Sequence, residues 1–230
     1  MLLLTPSWYA MPQSDWPSNL YLPGFALAPE ISLDAELTAF IARRGAPIVF
    51  TPGTGVSDTT GFFHKAAAVA RASRYPALFL SKHIPKHLRD MPDVLCRDFL
   101  PLGGLLRCAA AIIHHGGIGT IGEALRAGCP QLVVPDRFDQ PDNAMRVARL
   151  GLGAAVMSAD YSAREVADLL NRMMDSSHVR LQLATARGLV EAEDGVENAV
   201  RIVEHVLGDR RSRSIRPAAE VVSGRSCPTR

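Results

Sequence analysis

Six short apolar runs, separated by segments of helical periodicity, constrain the fold of this chain more than any other feature. They are Ile48–Thr51, Ala77–Leu80, Val94–Cys96, Ala109–Ile113, Gln131–Val134 and Gly153–Met157. A strand with one wet face alternates apolar and polar residues, and these runs do not. Continuous apolar strands alternating with helices belong to a parallel sheet covered on both faces. The reading is an α/β fold, a doubly wound parallel sheet. Gly61–Ser73 is a predicted helix whose apolar side holds Phe62, Phe63, Ala66, Ala67, Val69 and Ala70. A second helix runs to Ala127, stopped by Gly128 and Pro130, and a third spans Asp142–Leu150 with Asp142 as N-cap. After Tyr161 the pattern is helical over Ala163–Asp175, Val179–Ala192 and Val196–Leu207, so helices close the C-terminal side.

Composition narrows the class. The chain has 230 residues, 47% hydrophobic and 21% charged, enough for a substantial core and too apolar for a mainly disordered protein. No apolar run approaches the roughly 20 residues of a membrane-spanning helix. Residues 1–6 lack the basic and apolar regions of a secretory signal. Cys96, Cys108, Cys129 and Cys227 form no C-x-x-C, which points away from a disulfide frame or zinc site. A reducing cytoplasm is the expected setting. The net charge of +2 is uneven: from Asp209 onward six arginines face two acidic residues, a balance of +4, and the preceding 208 residues carry −2. This tail, 208–230, reads as a solvated, disordered end or as a nucleic-acid contact; nothing basic or aromatic in the body supports the second, and no nucleic-acid partner is expected.

Residues 1–30 differ from the rest. They hold Trp8, Trp16 and Pro6, Pro12, Pro17, Pro23 and Pro29, with only Leu2–Thr5 and Asn19–Leu22 looking extended. This is irregular backbone that covers or connects something and is not a core. The domain layout expected is a linker over 1–30, a ligand-binding domain over 31–207 and the tail.

Ligands of open parallel sheets bind beyond the carboxyl ends of the strands. Three loops stand out there: Gly53-Thr54-Gly55, His114–Thr120 and Asp136–Gln140. In the second, Gly116, Gly117 and Gly119 allow close backbone approach. The helix that follows offers free N–H groups, Thr120 a hydroxyl in its first turn, and His115 a donor. That set suits a phosphate or diphosphate. The same residues would equally make a tight strand–helix turn with a histidine pair capping it. The loop is neither a Walker loop nor G-x-G-x-x-G. Five histidines (His64, His83, His87, His178 and His205) receive no role.

The stretch from His114-His115-Gly116-Gly117-Ile118-Gly119-Thr120 through Glu123–Pro130 to Asp139-Gln140-Pro141-Asp142-Asn143-Ala144 resembles the donor signature of GT-B nucleotide-sugar glycosyltransferases. The resemblance is closest to the bacterial macrolide and sterol glucosyltransferase type of family 1. Phe50–Thr54 is similar to that family's first-strand loop and Phe99-Leu100-Pro101 to its base-holding segment. The resemblance covers about Ser7 to Leu207, the C-terminal of that family's two Rossmann-like domains.

It implies that Gly53, Thr54, His115, Gly117, Gly119 and Thr120 hold the diphosphate of a UDP- or TDP-sugar and that Glu123 accepts from the ribose. Asp139 and Gln140 would bind sugar hydroxyls with support from Asn143, and Phe99 would pack on the base. It also implies inverting transfer to an acceptor hydroxyl without cofactor or obligatory metal, and the sequence has no Asp-x-Asp. The small-molecule or lipid acceptor and the general base belong to an N-terminal domain, to which no residue here is assigned; alone, the chain is expected to transfer weakly or not at all. The alternative is a non-catalytic donor-binding subunit that docks a protein partner, favoured if Trp8, Tyr9 and Trp16 form an exposed patch. A third reading is a GT-B epimerase or lipid-linked GlcNAc transferase half, against which the Asp139-Gln140 pair argues.

Overall fold

Each of the six runs becomes a strand in a computed structural model, which describes residues 1–53, 59–157 and 162–208. The strands are β1 (Ile48–Thr51), β2 (Ala77–Leu80), β3 (Val94–Arg97), β4 (Ala111–His114), β5 (Gln131–Val133) and β6 (Gly153–Ala155). They form one sheet in the order β3-β2-β1-β4-β5-β6, and every neighbouring pair is parallel. Val49 pairs with Leu78 on one side and Ile112 on the other. Every residue of β1, β2, β4 and β5 is buried. This is why those strands are apolar but for Thr51, His114 and Gln131.

The helices are α1 (Ala35–Arg44), α2 (Thr60–Ala72), α3 (Leu102–Arg107), α4 (Ile118–Ala127), α5 (Gln140–Arg149), α6 (Ala163–Asp175), α7 (Ser177–Glu191) and α8 (Gly195–Val206). Successive strand residues point to opposite faces. Val49, Leu78 and Ile112 pack with Leu37 of α1, Leu105 and Leu106 of α3 and Ala124 of α4. Phe50 and Phe79 meet at 5.4 Å between ring centroids, and Phe63 of α2 meets Phe79 at the same distance. Each such fully buried side chain contributes about 1.5–3 kcal/mol. Local chemistry sets several ends. Gly128 stops α4 in the left-handed region at φ 65°, and Ser162 and Glu165 form a reciprocal capping box on α6.

The structure departs from the sequence reading in several places, among them the start of β4 at Ala111 and the end of β5 at Val133. Helices α1 and α3 were not anticipated; α1 is announced by Asp34, whose carboxylate accepts from Leu37 N–H, and α3 is only six residues long. Helix α5 starts at Gln140, so Asp142 is not the N-cap; it lies in the first turn and pairs with Arg146 at 2.7 Å. Strand β6 ends at Ala155, short of Met157. The N-terminal segment contains a core of its own: Tyr9, Leu20 and Phe25 are buried, and Tyr9 packs between Trp8 and Phe25. Tyr9 therefore cannot form an exposed patch with Trp8 and Trp16.

Two compact units result. One is Ala28–Gly188, which holds the whole sheet. The other joins Met1–Leu27 to the described chain from Leu189 to Gly208. Within it the two extended segments meet through one parallel bridge, Leu2 to Tyr21, and Asn198 on α8 donates to the carbonyl of Pro23 at 3.0 Å. No helix among the described residues is long and apolar enough to cross a membrane. The tail from Asp209 lies outside the described residues.

Candidate functional site

The sheet order reverses between β1 and β4, whose carboxyl ends open outward side by side. Crevices at such switch points are where ligands of open α/β sheets bind. A cleft of about 450 Å³ occupies this position. Thr51 and Gly53 line it from the end of β1, His115 and Gly117 to Thr120 from the turn after β4, and Phe99 and Leu100 from the loop after β3.

The paired histidines divide the work. His114 is fully buried at the end of β4. Its Nδ1 accepts the N–H of Gly116 at 3.1 Å, so Nε2 carries the proton and faces Gln131 Oε1 at 3.1 Å. Burial, aided by His115, lowers its pKa to about 3, which keeps the ring neutral and Nδ1 an acceptor. His115 faces the cleft instead. Its ring is wedged between two glycines: a Cβ at Gly53 would lie 2.3 Å from its Cε1, and one at Gly117 2.6 Å from its Nε2. Gly53 has φ 85°, which independently requires glycine. Nδ1 of His115 is buried without a hydrogen-bond partner among the described residues. Burial lowers its pKa, and Asp139 and Asp136 oppose that shift.

Helix α4 begins in the cleft with no side-chain cap at Gly117. Its first intrahelical bond runs from Ile121 N–H to the Gly117 carbonyl, so the N–H groups of Ile118, Gly119 and Thr120 precede the ladder. A helix start in this condition concentrates N–H donors and positive dipole on an anion. No Cβ contact would arise at Gly119 within 4 Å; this position faces open space.

Of the residues singled out in sequence, Gly53, Phe99, His115, Gly117, Gly119 and Thr120 come together around the cleft. Thr54 lies outside the described residues. Glu123, Asp139 and Gln140 do not line it. Glu123 pairs with Arg126, whose guanidinium also donates to the Ala28 carbonyl at 2.7 Å, and burial raises the Glu123 pKa against that pairing. Gln140 Oε1 accepts from the N–H groups of Asp136 and Arg137 at 2.9 and 3.0 Å. Asp139 accepts from Asn143, which also donates to the Gly116 carbonyl. The turn after β5 is thereby tied to the glycine turn.

Sequence reasoning missed one wall. Ser81, Lys82 and His83, at the end of β2, and Asp98 also line the cleft. The strand-end rule, applied to Ala77–Leu80 as it was to the other strands, would have found them. Among the described residues, no three His, Cys, Asp or Glu side chains group as metal ligands would.

Residues 77–194 match the family described as erythromycin biosynthesis protein CIII-like, C-terminal domain. The chain is 30% identical over 195 residues to the O-mycaminosyltylonolide 6-deoxyallosyltransferase of Streptomyces fradiae, covering 83% of this chain and 46% of that one. Its fold matches the spinosyn forosaminyltransferase SpnP with a TM-score of 0.74 at 21% identity, over 90% of this chain and 54% of SpnP. It also matches the glycosyltransferase VinC, solved in complex with dTDP, with a TM-score of 0.64 at 26% identity, over 88% of this chain and 51% of VinC. The chain thus spans half or less of the length of the curated relatives it matches. With more than half of its residues inside the family match and a sheet of the same architecture, the chain belongs to the erythromycin biosynthesis protein CIII-like C-terminal domain family of GT-B glycosyltransferases.

Proposed function

We propose that this chain is the donor-binding part of an inverting glycosyltransferase and that its cleft takes a pyrimidine nucleoside diphosphate sugar. The observation that carries the reading is the start of α4, with no side-chain cap, beside a cleft-facing histidine with a buried nitrogen that has no partner among the described residues. The diphosphate sits on the N–H groups of residues 118–120, with the Thr120 hydroxyl and His115 donating to its oxygens and Thr54 completing the set. As the sugar departs, negative charge grows on the diphosphate. The helix end and His115 are fixed in advance where that charge develops, the compensation that a metal would otherwise supply. Phe99 packs on the base, and TDP is favoured over UDP because VinC was solved with dTDP.

Glu123 keeps lone pairs beyond the one Arg126 uses and accepts from the ribose. Asp139 and Gln140, backed by Asn143, hold sugar hydroxyls. Residues 1–30 serve as the interdomain connection, 31–207 as the donor domain and 208–230 as a tail. Acceptor and general base come from a domain of the kind that fills the rest of the relatives' length. Without it, transfer is weak, since a missing base forfeits about 10²–10⁴-fold.

Thermal melts of the chain with increasing TDP, UDP and GDP test this. A concentration-dependent rise in Tm with a pyrimidine nucleotide, diminished in Thr120→Val, is expected. A folded chain whose Tm ignores all three contradicts the reading.

A further inference from the structure

Phe138 stands at the tip of the turn between β5 and α5. Its φ of 57° lies in the left-handed region, which is unfavourable for a bulky side chain and suits glycine or asparagine. The residue is 87% exposed, and no other ring stacks on it among the described residues. Neither backbone nor burial therefore selects phenylalanine here. Nor is the turn loosely held: Gln140 Oε1 closes it from within, and Asn143 Nδ2 holds Asp139 Oδ2 at 2.9 Å. It also abuts the glycine turn, for a Cβ on Gly116 would meet the Gln140 carbonyl at 3.2 Å. A strained residue in braced surroundings points to function. An exposed aromatic beside a carboxylate and an amide matches a hexose, whose hydroxyls need polar partners and whose C–H face needs an apolar one.

We propose that Phe138 is a specificity-determining residue whose ring packs on the apolar face of the donor's hexose. This rests on the donor-binding reading above and adds a contact made by the sugar and not by the nucleotide.

Calorimetric affinities of the full chain for TDP and TDP-glucose, and for UDP and UDP-glucose, test it in wild type, Phe138→Gly and Phe138→Tyr. Phe138→Gly is expected to raise Tm by relieving the backbone and to leave nucleoside diphosphate affinity within about twofold. It is expected to weaken the nucleotide-sugar by about three- to tenfold. Phe138→Tyr, which keeps the ring, should restore the sugar affinity. An equal ratio of nucleotide-sugar to nucleotide affinity in wild type and Phe138→Gly overturns the proposal, as does a wild type that gains nothing from either sugar. Failure of both free nucleotides to bind strikes the donor-binding reading itself.

Discussion

Asn143 donates from Nδ2 to the carbonyl of Gly116 at 3.0 Å. The N–H of the same glycine goes to His114 Nδ1. Both backbone polar groups of Gly116, at φ 94°, are thus held by buried side chains, and the aim of the α4 N-terminus follows from them. Asn143→Ala leaves the buried Gly116 carbonyl without this donor. The expected loss is about 1–3 kcal/mol of folding stability, measured by urea denaturation, with weaker TDP binding.

The glycines of the turn separate by what surrounds them. Gly53→Ala places a methyl on the His115 ring and adds left-handed strain, so it should displace the ring and weaken TDP binding more than tenfold in calorimetry. Gly119→Ala meets nothing within 4 Å and favours helix, so stability should hold or rise by up to about 1 kcal/mol. TDP affinity should still fall, because the methyl occupies the space a diphosphate must enter. Equal binding in Gly119→Ala would mean that no ligand approaches that backbone.

His114 gives the fold a pH dependence with a definite sign. Its pKa falls from 6.5 to about 3 on folding, chiefly through burial. Between those values the unfolded chain binds the extra proton, so the stabilisation is complete above about pH 6.5 and is lost as pH drops toward 3. Denaturation between pH 7 and 4 should show a decline that is shallower in His114→Gln, whose side chain does not titrate.

Arg126 joins α4 to the chain entering the domain: it pairs with Glu123, donates to the Ala28 carbonyl and lies 3.8 Å from Glu30. Arg126→Ala leaves a largely buried carboxylate without its counter-charge. Glu123, already raised by burial, should titrate higher still, and the melting temperature should fall. NMR titration of the Glu123 carboxyl carbon checks the first outcome and a thermal melt the second.

The sheet was legible because burial on both faces leaves continuous apolar runs, and the glycine turn because close backbone approach demands glycine. Helix α3 was not, since six residues including Gly103 and Gly104 carry no helical signal; Gly104 is required by packing, where a Cβ would meet the Ile31 carbonyl at 2.5 Å. The different duties of His114 and His115 could not be read from two adjacent identical letters, because burial alone distinguishes them. Nor could Tyr9 be recognised as core, as its partner Phe25 sits in another irregular segment. The wall formed by Ser81–His83 was within reach of the strand-end rule and went unread because no glycine marks it.

The central claim is that the cleft between β1 and β4 binds a nucleoside diphosphate through His115 and the start of α4. Calorimetric titration of the chain with TDP, beside His115→Ala, tests it most directly. Saturable one-site binding, weakened at least tenfold in a His115→Ala variant that melts like wild type, is the predicted result. No heat of binding from a folded chain, or equal affinity in the variant, would contradict it.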